Sequence, residues 1–361
     1  MQKSLRKPDY ILISVTFILV LIGLLMILSA SFNFSYLQRQ FLSLLIGLSC
    51  FILGFMIDYH WYKRIVLPLS ACTVFLLLLT YIPGLGHTAG GASRWINLGG
   101  FIFQPSELAK ITLIFFVAMT IENKGKQIKD FRKGVLPVLI IGGGIIGLVL
   151  KQPDLGTSVL LASTVGLMLF IGGAQIWQLL IMGAIGFRAV IWWIAQNPYQ
   201  KDRVLAFLDP WENYLGIGFH TVQSLLAVGS GGLFGLGLGY SRQKFSYLPQ
   251  PFTDFIYAII CEELGFMGAV LVVILFVIFT IRGMRIARLA PDRFGMLVAF
   301  GITCWIIIEA LLNIGVVLGV LPPTGIPLIF ISFGGSSLMS ALFAVGILLN
   351  ISRQIVFTEK Q

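Results

Sequence analysis

Residues 241–265 read SRQKFSYLPQPFTDFIYAIICEELG, a polar segment that runs directly into an apolar one. Arg242 and Lys244 bring two cations, and the two prolines keep the backbone out of a helix until just before the apolar run. Asp254 then falls in the first turn of the predicted helix, where an aspartate most commonly caps the free N–H groups. The two nearby cations and the later pair of glutamates favour a functional role for the Asp254 carboxylate over a capping role.

The composition excludes a soluble protein. Of the 361 residues, 57% are hydrophobic and 11% are charged, and the mean hydropathy is +0.94. Soluble domains carry about 25% charged residues. The net charge is +10, but the basic residues lie in short gaps between apolar runs. This pattern is typical of the positive-inside rule, so no nucleic-acid partner is predicted.

Ten apolar runs are long enough to cross a bilayer, which takes about 17–25 residues. The first is too long for the apolar region of a typical signal peptide, so we predict an uncleaved span. The sequence therefore predicts an all-α polytopic membrane protein, a single transmembrane domain over residues 1–361. The predicted spans are residues 10–30, 41–57, 65–82, 106–121, 135–150, 156–172, 176–195, 253–281, 294–320 and 327–351.

The basic gaps also predict the orientation. Placing both termini in the cytoplasm puts the two densest basic gaps, residues 124–133 and 282–293, inside. The polar segments 83–105 and 151–157 then face outward. So does a large loop between the seventh and eighth spans, residues 196–252, in which residues 217–228 predict a short interfacial helix.

Several polar side chains fall inside predicted spans. Glu107 and Lys110 are three residues apart, and Glu309 and Asn313 are four apart, so each pair shares a helix face. Such residues turn inward and pair, for structure or for function, and the sequence leaves both open. Arg188 can also extend to the outer interface.

Cysteine and histidine do not predict a metal site. No Cys-x-x-Cys spacing is present, and the histidines at positions 87 and 220 are isolated. The glycine run of residues 229–239 lacks the Gly-Lys-Ser/Thr of a P-loop. It predicts close backbone packing or a flexible gate.

Ordered motifs over some 250 residues resemble the SEDS family, the polytopic proteins of bacterial elongation and division typified by RodA and FtsW. Residues 237–245, GLGYSRQKF, are more similar to the division-type branch. The other motifs are GASRWIN (91–97), QPSELAK (104–110), QPDLGT (152–157), QS (223–224), GSGG (229–232), PTGIP (323–327) and SFGGSS (332–337).

The resemblance implies a peptidoglycan glycosyltransferase that polymerises lipid II at the outer face of the bacterial cytoplasmic (inner) membrane. It implies a class B penicillin-binding protein, a transpeptidase, as partner, beside other divisome or elongasome proteins. Asp254 falls at the position of the family's essential aspartate. Family members often carry an acid and a histidine just before it, whereas this chain has Gln250-Pro251-Phe252, so a proton relay through that histidine is excluded.

In this chemistry a sugar hydroxyl attacks an anomeric carbon, and a lipid pyrophosphate leaves. We predict Asp254 as the general base, with cations stabilising the pyrophosphate. A divalent cation, Mg²⁺ or Mn²⁺, bridging Asp254 or Asp154 to phosphate is a further option, although no ligand cluster indicates one. Lys201 and Arg203 can bind either pyrophosphate or lipid headgroups. The predicted substrate-binding residues are Arg94, Glu107, Lys110, Asp154, Gln223, Arg242, Lys244 and Ser336.

Two alternatives remain at this stage. A lipid II flippase also suits ten spans with intramembrane charges and helices broken by Pro and Gly. Against it, the distinctive polar residues collect in the outer half, and no internal repeat is evident. The second alternative is a scaffold that only recruits the transpeptidase, but this function would give Asp254 and Lys110 no role.

Overall fold

The computed structural model describes residues 7–31, 34–82, 86–89, 92–98, 101–212, 216–244 and 252–355. Within those ranges the chain forms twelve α-helices and three short strands. A 3₁₀ turn (Gly125–Lys129) and a π-helical turn (Phe131–Val135) lead into α5. The helices are α1 (Tyr10–Ala30), α2 (Phe34–Met56), α3 (Tyr59–Leu79), α4 (Pro105–Lys124), α5 (Leu136–Lys151), α6 (Leu155–Ile171), α7 (Ile176–Gln196), α8 (Pro198–Leu208), α9 (Phe219–Ser230), α10 (Ile256–Leu289), α11 (Arg293–Val317) and α12 (Gly335–Arg353).

A helix occupies each of the ten predicted spans. Among the described residues, eight segments are long and apolar enough to cross a membrane: α1, α2, α3, residues 131–151, α7, α10, α11 and α12. The other two candidates are α6, which has 17 residues, and α4, which contains Glu107, Lys110 and Glu122. An integral, mostly helical membrane protein is confirmed, and the count of ten spans and their orientation stay predictions.

The prediction of an all-α chain is wrong in the segment before α4. Strands β1 (Gly86–Ala89), β2 (Ala92–Leu98) and β3 (Phe101–Phe103) form an antiparallel sheet in the order β1-β2-β3. The pairing aligns Ile96 with Gly86 on one side and with Phe103 on the other. Ile96 is buried and the next residue, Asn97, is exposed, as expected of a strand with one buried face.

The loop between α7 and α10 contains one helix more than predicted. The predicted helix 217–228 corresponds to α9, and α8 starts directly after α7 at Pro198, a residue favoured in the first turn of a helix. α9 packs against α10 and α11 on one side, where Ser224 Oγ donates a hydrogen bond to the Val317 carbonyl over 2.9 Å. This loop therefore folds onto the bundle.

Helices α4, α11 and α12 form the centre of the bundle, where most of their residues are buried. The helix of the tenth predicted span, α12, begins only at Gly335 and not at residue 327, because residues 318–334 form an irregular segment with three prolines. α10 follows on from the turn 252–255 and is kinked at Gly265, where φ is +66° and the backbone of residues 233–235 approaches closely.

Candidate active site

Asp254 lies in the turn of residues 252–255, one residue before Phe255 and the start of α10. Three hydrogen bonds hold the backbone of this turn. Asn313 Nδ2 donates to the Asp254 carbonyl over 2.8 Å, Ser332 Oγ donates to the Thr253 carbonyl over 2.6 Å, and the Phe333 N–H donates to the Phe252 carbonyl over 2.8 Å. Since all three use backbone oxygens, the Asp254 carboxylate is left for chemistry.

Arg203 of α8 lies near the Asp254 carboxylate, beside the irregular segment 318–334. Its guanidinium donates to the Pro323 carbonyl over 3.1 Å and to the Tyr199 hydroxyl over 2.5 Å. It also lies 4.6 Å from the centre of the Tyr199 ring, a cation–π contact. A methyl group built on Gly325 would lie 3.5 Å from Asp254 Oδ2 and 3.8 Å from both terminal nitrogens of Arg203, so both groups border this glycine. Gly325 has a φ of +74°, which favours glycine.

Arg94 and Asp154 complete the surroundings of Asp254. Arg94 of β2 donates to the backbone carbonyls of Gln152 and Pro153, and its NH1 lies 3.8 Å from Asp154 Oδ1. Asp154 caps α6 by accepting a hydrogen bond from the Thr157 N–H over 3.2 Å. The sheet that contradicts the all-α prediction therefore brings Arg94 to the site.

The electrostatics of this cluster favour a basic carboxylate. Desolvation by the surrounding protein raises the pKa of Asp254 above its ordinary value, and the nearby Asp154 carboxylate acts in the same direction. The Arg203 and Arg94 guanidiniums oppose this effect without cancelling it. The balance between desolvation and the neighbouring cations thus falls on the side of a raised pKa for Asp254.

His220 of α9 borders the same turn, with its ring centre 6.3 Å from that of Phe255. Burial lowers the pKa of His220, and the Arg203 cation lowers it further. The ring is therefore neutral at pH 7. This histidine is isolated in the sequence, because α9 and α10 meet only in the folded chain.

Glu107 and Lys110 belong to a second, closed cluster in the core of the bundle. Lys110 Nζ lies 2.9 Å from Glu107 Oε1 and 2.9 and 3.1 Å from the two Glu309 oxygens. The Trp305 indole N–H donates to Glu309, and the Ser340 hydroxyl donates to Glu107. Asn313 links this cluster to the Asp254 turn, because it lies one helical turn after Glu309. These contacts favour the structural alternative, and direct substrate binding by Glu107 and Lys110 stays a prediction.

Replacing Lys110 with Met is expected to destabilise the fold by about 3 kcal/mol, because the buried Glu107 and Glu309 carboxylates then have no cation. Thermal unfolding in detergent micelles measures the effect. Glu122→Gln is the control, since it removes the partner of Lys63 in a partly exposed pair and is expected to cost under about 1 kcal/mol. Equal shifts in the melting temperature of the two variants would contradict a stabilising role for the Lys110 cluster.

Lys244 belongs to a third cluster, on the glutamates of α10. Its ammonium donates to Glu263 Oε1, to the Gly239 carbonyl and to the Ser29 carbonyl, at 3.1, 2.6 and 3.1 Å. Glu262 accepts from the Ser241 hydroxyl over 2.5 Å and from the N–H of residue 242 over 2.9 Å. The two glutamates thus anchor the start of the segment whose end carries Asp254. The pyrophosphate role predicted for Lys244 stays a prediction, as does that of Arg242, whose side chain is exposed.

The glycine run packs against the same part of α10. The Leu236 N–H donates to the Glu262 carbonyl and the Phe266 N–H donates to the Gly232 carbonyl, both over 2.9 Å. A side chain on Gly235 would collide with the backbone of Glu263. Close backbone packing, one of the two predicted roles of this run, is confirmed.

The remaining predicted residues, Ser336 and Gln223, make no described contact with Asp254. Ser336 accepts a hydrogen bond from the Gln104 N–H and donates one to the Ile102 carbonyl, both over 3.2 Å, and so joins α12 to the sheet. Gln223 is a partly exposed residue of α9. The prolines and Gln250 of the segment before Asp254 lie outside the described residues.

The described part of the chain has no group of three His, Cys, Asp or Glu side chains placed to hold a metal ion. Asp254 and Asp154 supply two carboxylates beside two guanidiniums. A divalent cation there would depend on phosphate and water oxygens for its other ligands, and such an ion stays a prediction.

The sequence named Arg203 only as a general outer cation and PTGIP (323–327) only as a family motif, and it placed neither beside Asp254. Arg203 was one of several outer basic residues, and only the fold selects it over Lys201, which is exposed on the same helix. The i, i+4 spacing of Tyr199 and Arg203 was the available signal, since such a pair can stack on one helix face.

The fold and this site define a polytopic helical membrane protein that holds a carboxylate among guanidinium groups where a loop enters a long apolar helix. The chain belongs to the FtsW/RodA/SpoVE family: the sequence model of that family, described as cell cycle protein, matches residues 9–356. This confirms the resemblance to the SEDS proteins.

Individual relatives cover nearly the whole chain. Stage V sporulation protein E of Bacillus subtilis (strain 168) is 44% identical over 98% of this chain and 99% of its own. A probable peptidoglycan glycosyltransferase FtsW of Geobacter sp. (strain M18) is 41% identical over 98% of this chain and 99% of its own. A chain from a solved peptidoglycan synthase complex, studied for its coordination of polymerization and crosslinking, superposes with a TM-score of 0.81 at 30% identity, covering 96% of this chain and 98% of that one.

Proposed function

We propose that this chain is a peptidoglycan glycosyltransferase that polymerises lipid II into glycan strands, with Asp254 as general base. One observation carries the proposal: the Asp254 carboxylate, with a raised pKa, lies beside the Arg203 and Arg94 guanidiniums. The family adds to it, because several relatives are named probable peptidoglycan glycosyltransferases. The name FtsW of these relatives favours the division-type branch over an elongation role.

Each group in the cluster matches one requirement of the reaction. Asp254 takes the proton from the attacking sugar hydroxyl, and its raised pKa makes it a stronger base than an exposed aspartate. Arg203 and Arg94 stabilise the negative charge that develops on the departing lipid pyrophosphate. Thr324 Oγ1 is buried beside Gly325 without a hydrogen-bond partner in the described residues, so it is available to a sugar hydroxyl.

We assign the other predicted residues by their distance from this chemistry. Asp154 orients Arg94, and the Lys110 cluster positions Asp254 through α11 and Asn313. Gln223 and Arg242 remain proposed outer substrate contacts. Lipid tails would enter sideways between the spans, which suits a groove open to the membrane.

The proposed orientation places both termini in the cytoplasm and Asp254 at the outer face of the bacterial inner membrane. In support, α10 runs from the Asp254 turn to a basic end with Arg282, Arg285 and Arg288, as the positive-inside rule expects of an inner end. The proposed partner is a class B penicillin-binding protein, together with other divisome or elongasome membrane proteins. The solved complex supports a crosslinking partner, because it joins polymerization with crosslinking in one synthase.

The test is polymerisation of lipid II by the purified chain with its cognate class B penicillin-binding protein. Moenomycin is included to block conventional glycosyltransferases. We expect glycan strands. No strands, despite confirmed lipid II binding and partner association, would overturn the proposal and favour a lipid II flippase, for which the buried charges of α4 and α11 would be the first transport candidates.

A further inference from the structure

A groove lies at the end of the bundle opposite Asp254. It has a volume of about 480 Å³ and is bordered by the start of α1, the last turns of α10 and the end of α12. Its polar lining residues are Lys7, Asp9, Arg282, Arg285 and Ser352. At about 1.5 Å per residue, Arg282 lies about 40 Å along α10 from its start, so the groove is remote from the proposed catalytic site.

The charges of this groove are unbalanced. Asp9 accepts hydrogen bonds from the Arg282 guanidinium at 2.5, 2.9 and 3.1 Å, so these two residues neutralise one another. Lys7 and Arg285 are exposed, and no carboxylate in the described part of the chain pairs with either of them. Among the described residues, the groove therefore presents two cations that no carboxylate neutralises.

A second groove, of about 660 Å³, adjoins the first and shares Arg285 with it. Arg288 also lines it and is likewise exposed, without a carboxylate partner among the described residues. On the same face of α10, Ile281, Val277 and Ile274 are 60%, 47% and 48% exposed. These residues are three or four positions apart, as are Arg285 and Arg288 beyond them. They therefore form one stripe along α10, apolar along most of its length and cationic at its end.

We infer that these adjoining grooves bind an anionic phospholipid of the inner leaflet. Its phosphodiester group lies between Arg285, Arg288 and Lys7, and an acyl chain follows the stripe from Ile281 to Ile274. The combination selects a lipid over a soluble anion, because the apolar stripe contributes only to a ligand that carries an acyl chain. The inference uses the proposed orientation and does not depend on the proposed enzymatic activity.

The experiment is native mass spectrometry of the purified full-length protein, titrated with phosphatidylglycerol and, separately, with phosphatidylcholine. Wild type is expected to bind phosphatidylglycerol about 25-fold more tightly than the double variant Arg285→Gln/Arg288→Gln. This corresponds to about fivefold, or about 1 kcal/mol, for each charge removed near the membrane surface. Lys7→Gln alone is expected to lose about fivefold.

The matched control is Lys126→Gln/Lys129→Gln, which removes two exposed cations of the other dense basic gap. It is expected to bind phosphatidylglycerol within twofold of wild type. An equal loss in this control would overturn the inference, because the affinity would then come from net charge alone. Equal binding of the two lipids by wild type, or displacement of phosphatidylglycerol by an equal concentration of inorganic phosphate, would overturn it as well.

Discussion

Asp254→Asn is expected to abolish lipid II polymerisation, with a rate at least about 100-fold below that of wild type. The amide has nearly the size of the carboxylate but cannot take a proton from the attacking hydroxyl. The fold is expected to survive, since Asn313, Ser332 and Phe333 hold the turn through backbone carbonyls that the substitution leaves in place. The measurement is glycan strand formation in the coupled assay with moenomycin present.

Asp202→Asn is the matched control, because it neutralises an exposed carboxylate of α8 in the same loop region. It is expected to polymerise within twofold of wild type. Thermal unfolding and partner binding of Asp254→Asn are expected to match wild type, which separates a chemical defect from a folding defect. Full activity of Asp254→Asn would exclude the carboxylate as the base and would leave the family assignment unchanged.

The long apolar helices were predictable because bilayer thickness dictates the length and apolarity of a spanning helix, which are local properties of the sequence. The sheet was not predicted, because two of its strands have only four and three residues and the longest, ASRWINL (92–98), does not alternate regularly between apolar and polar residues. The start of α12 was placed too early for a related reason. Residues 327–334 are apolar enough to pass as the first part of a span. In the structure they form no helix, and Ser332 and Phe333 donate hydrogen bonds to backbone carbonyls of the Asp254 turn.

Asp254 could be proposed from the sequence as a site residue because the cost of a carboxylate near a membrane is visible locally, whereas the groups around it come from distant parts of the chain. Arg203 contacts the carbonyl of Pro323, 120 residues away, and Lys110 meets Glu309 across 199 residues. The sequence prediction included Lys110 and Lys244 among the substrate-binding residues and left Arg203 among the other outer basic residues. The fold distinguishes them, since carboxylates neutralise the first two while Arg203 is held by a carbonyl and a hydroxyl.

Arg203→Gln is expected to lower the polymerisation rate about 100-fold, equivalent to about 2.7 kcal/mol of transition-state stabilisation. Glutamine can still donate a hydrogen bond, for example to the Pro323 carbonyl, but it brings no positive charge to the departing pyrophosphate. The pH dependence supplies a second readout. A general base acts in its deprotonated form, so the rate rises with pH through the pKa of Asp254.

The direction of the pH effect follows from the charge that is removed. The Arg203 cation lowers the pKa of Asp254, so its loss raises that pKa further and moves the rising limb of the pH–rate profile to higher pH. Lys201→Gln, an exposed cation two residues earlier on α8, is expected to change neither the rate nor the limb. A limb that moves to lower pH in Arg203→Gln, or equal losses of rate in the two variants, would contradict a direct role. A lower rate with an unmoved limb would place Arg203 on the pyrophosphate but out of electrostatic reach of the base.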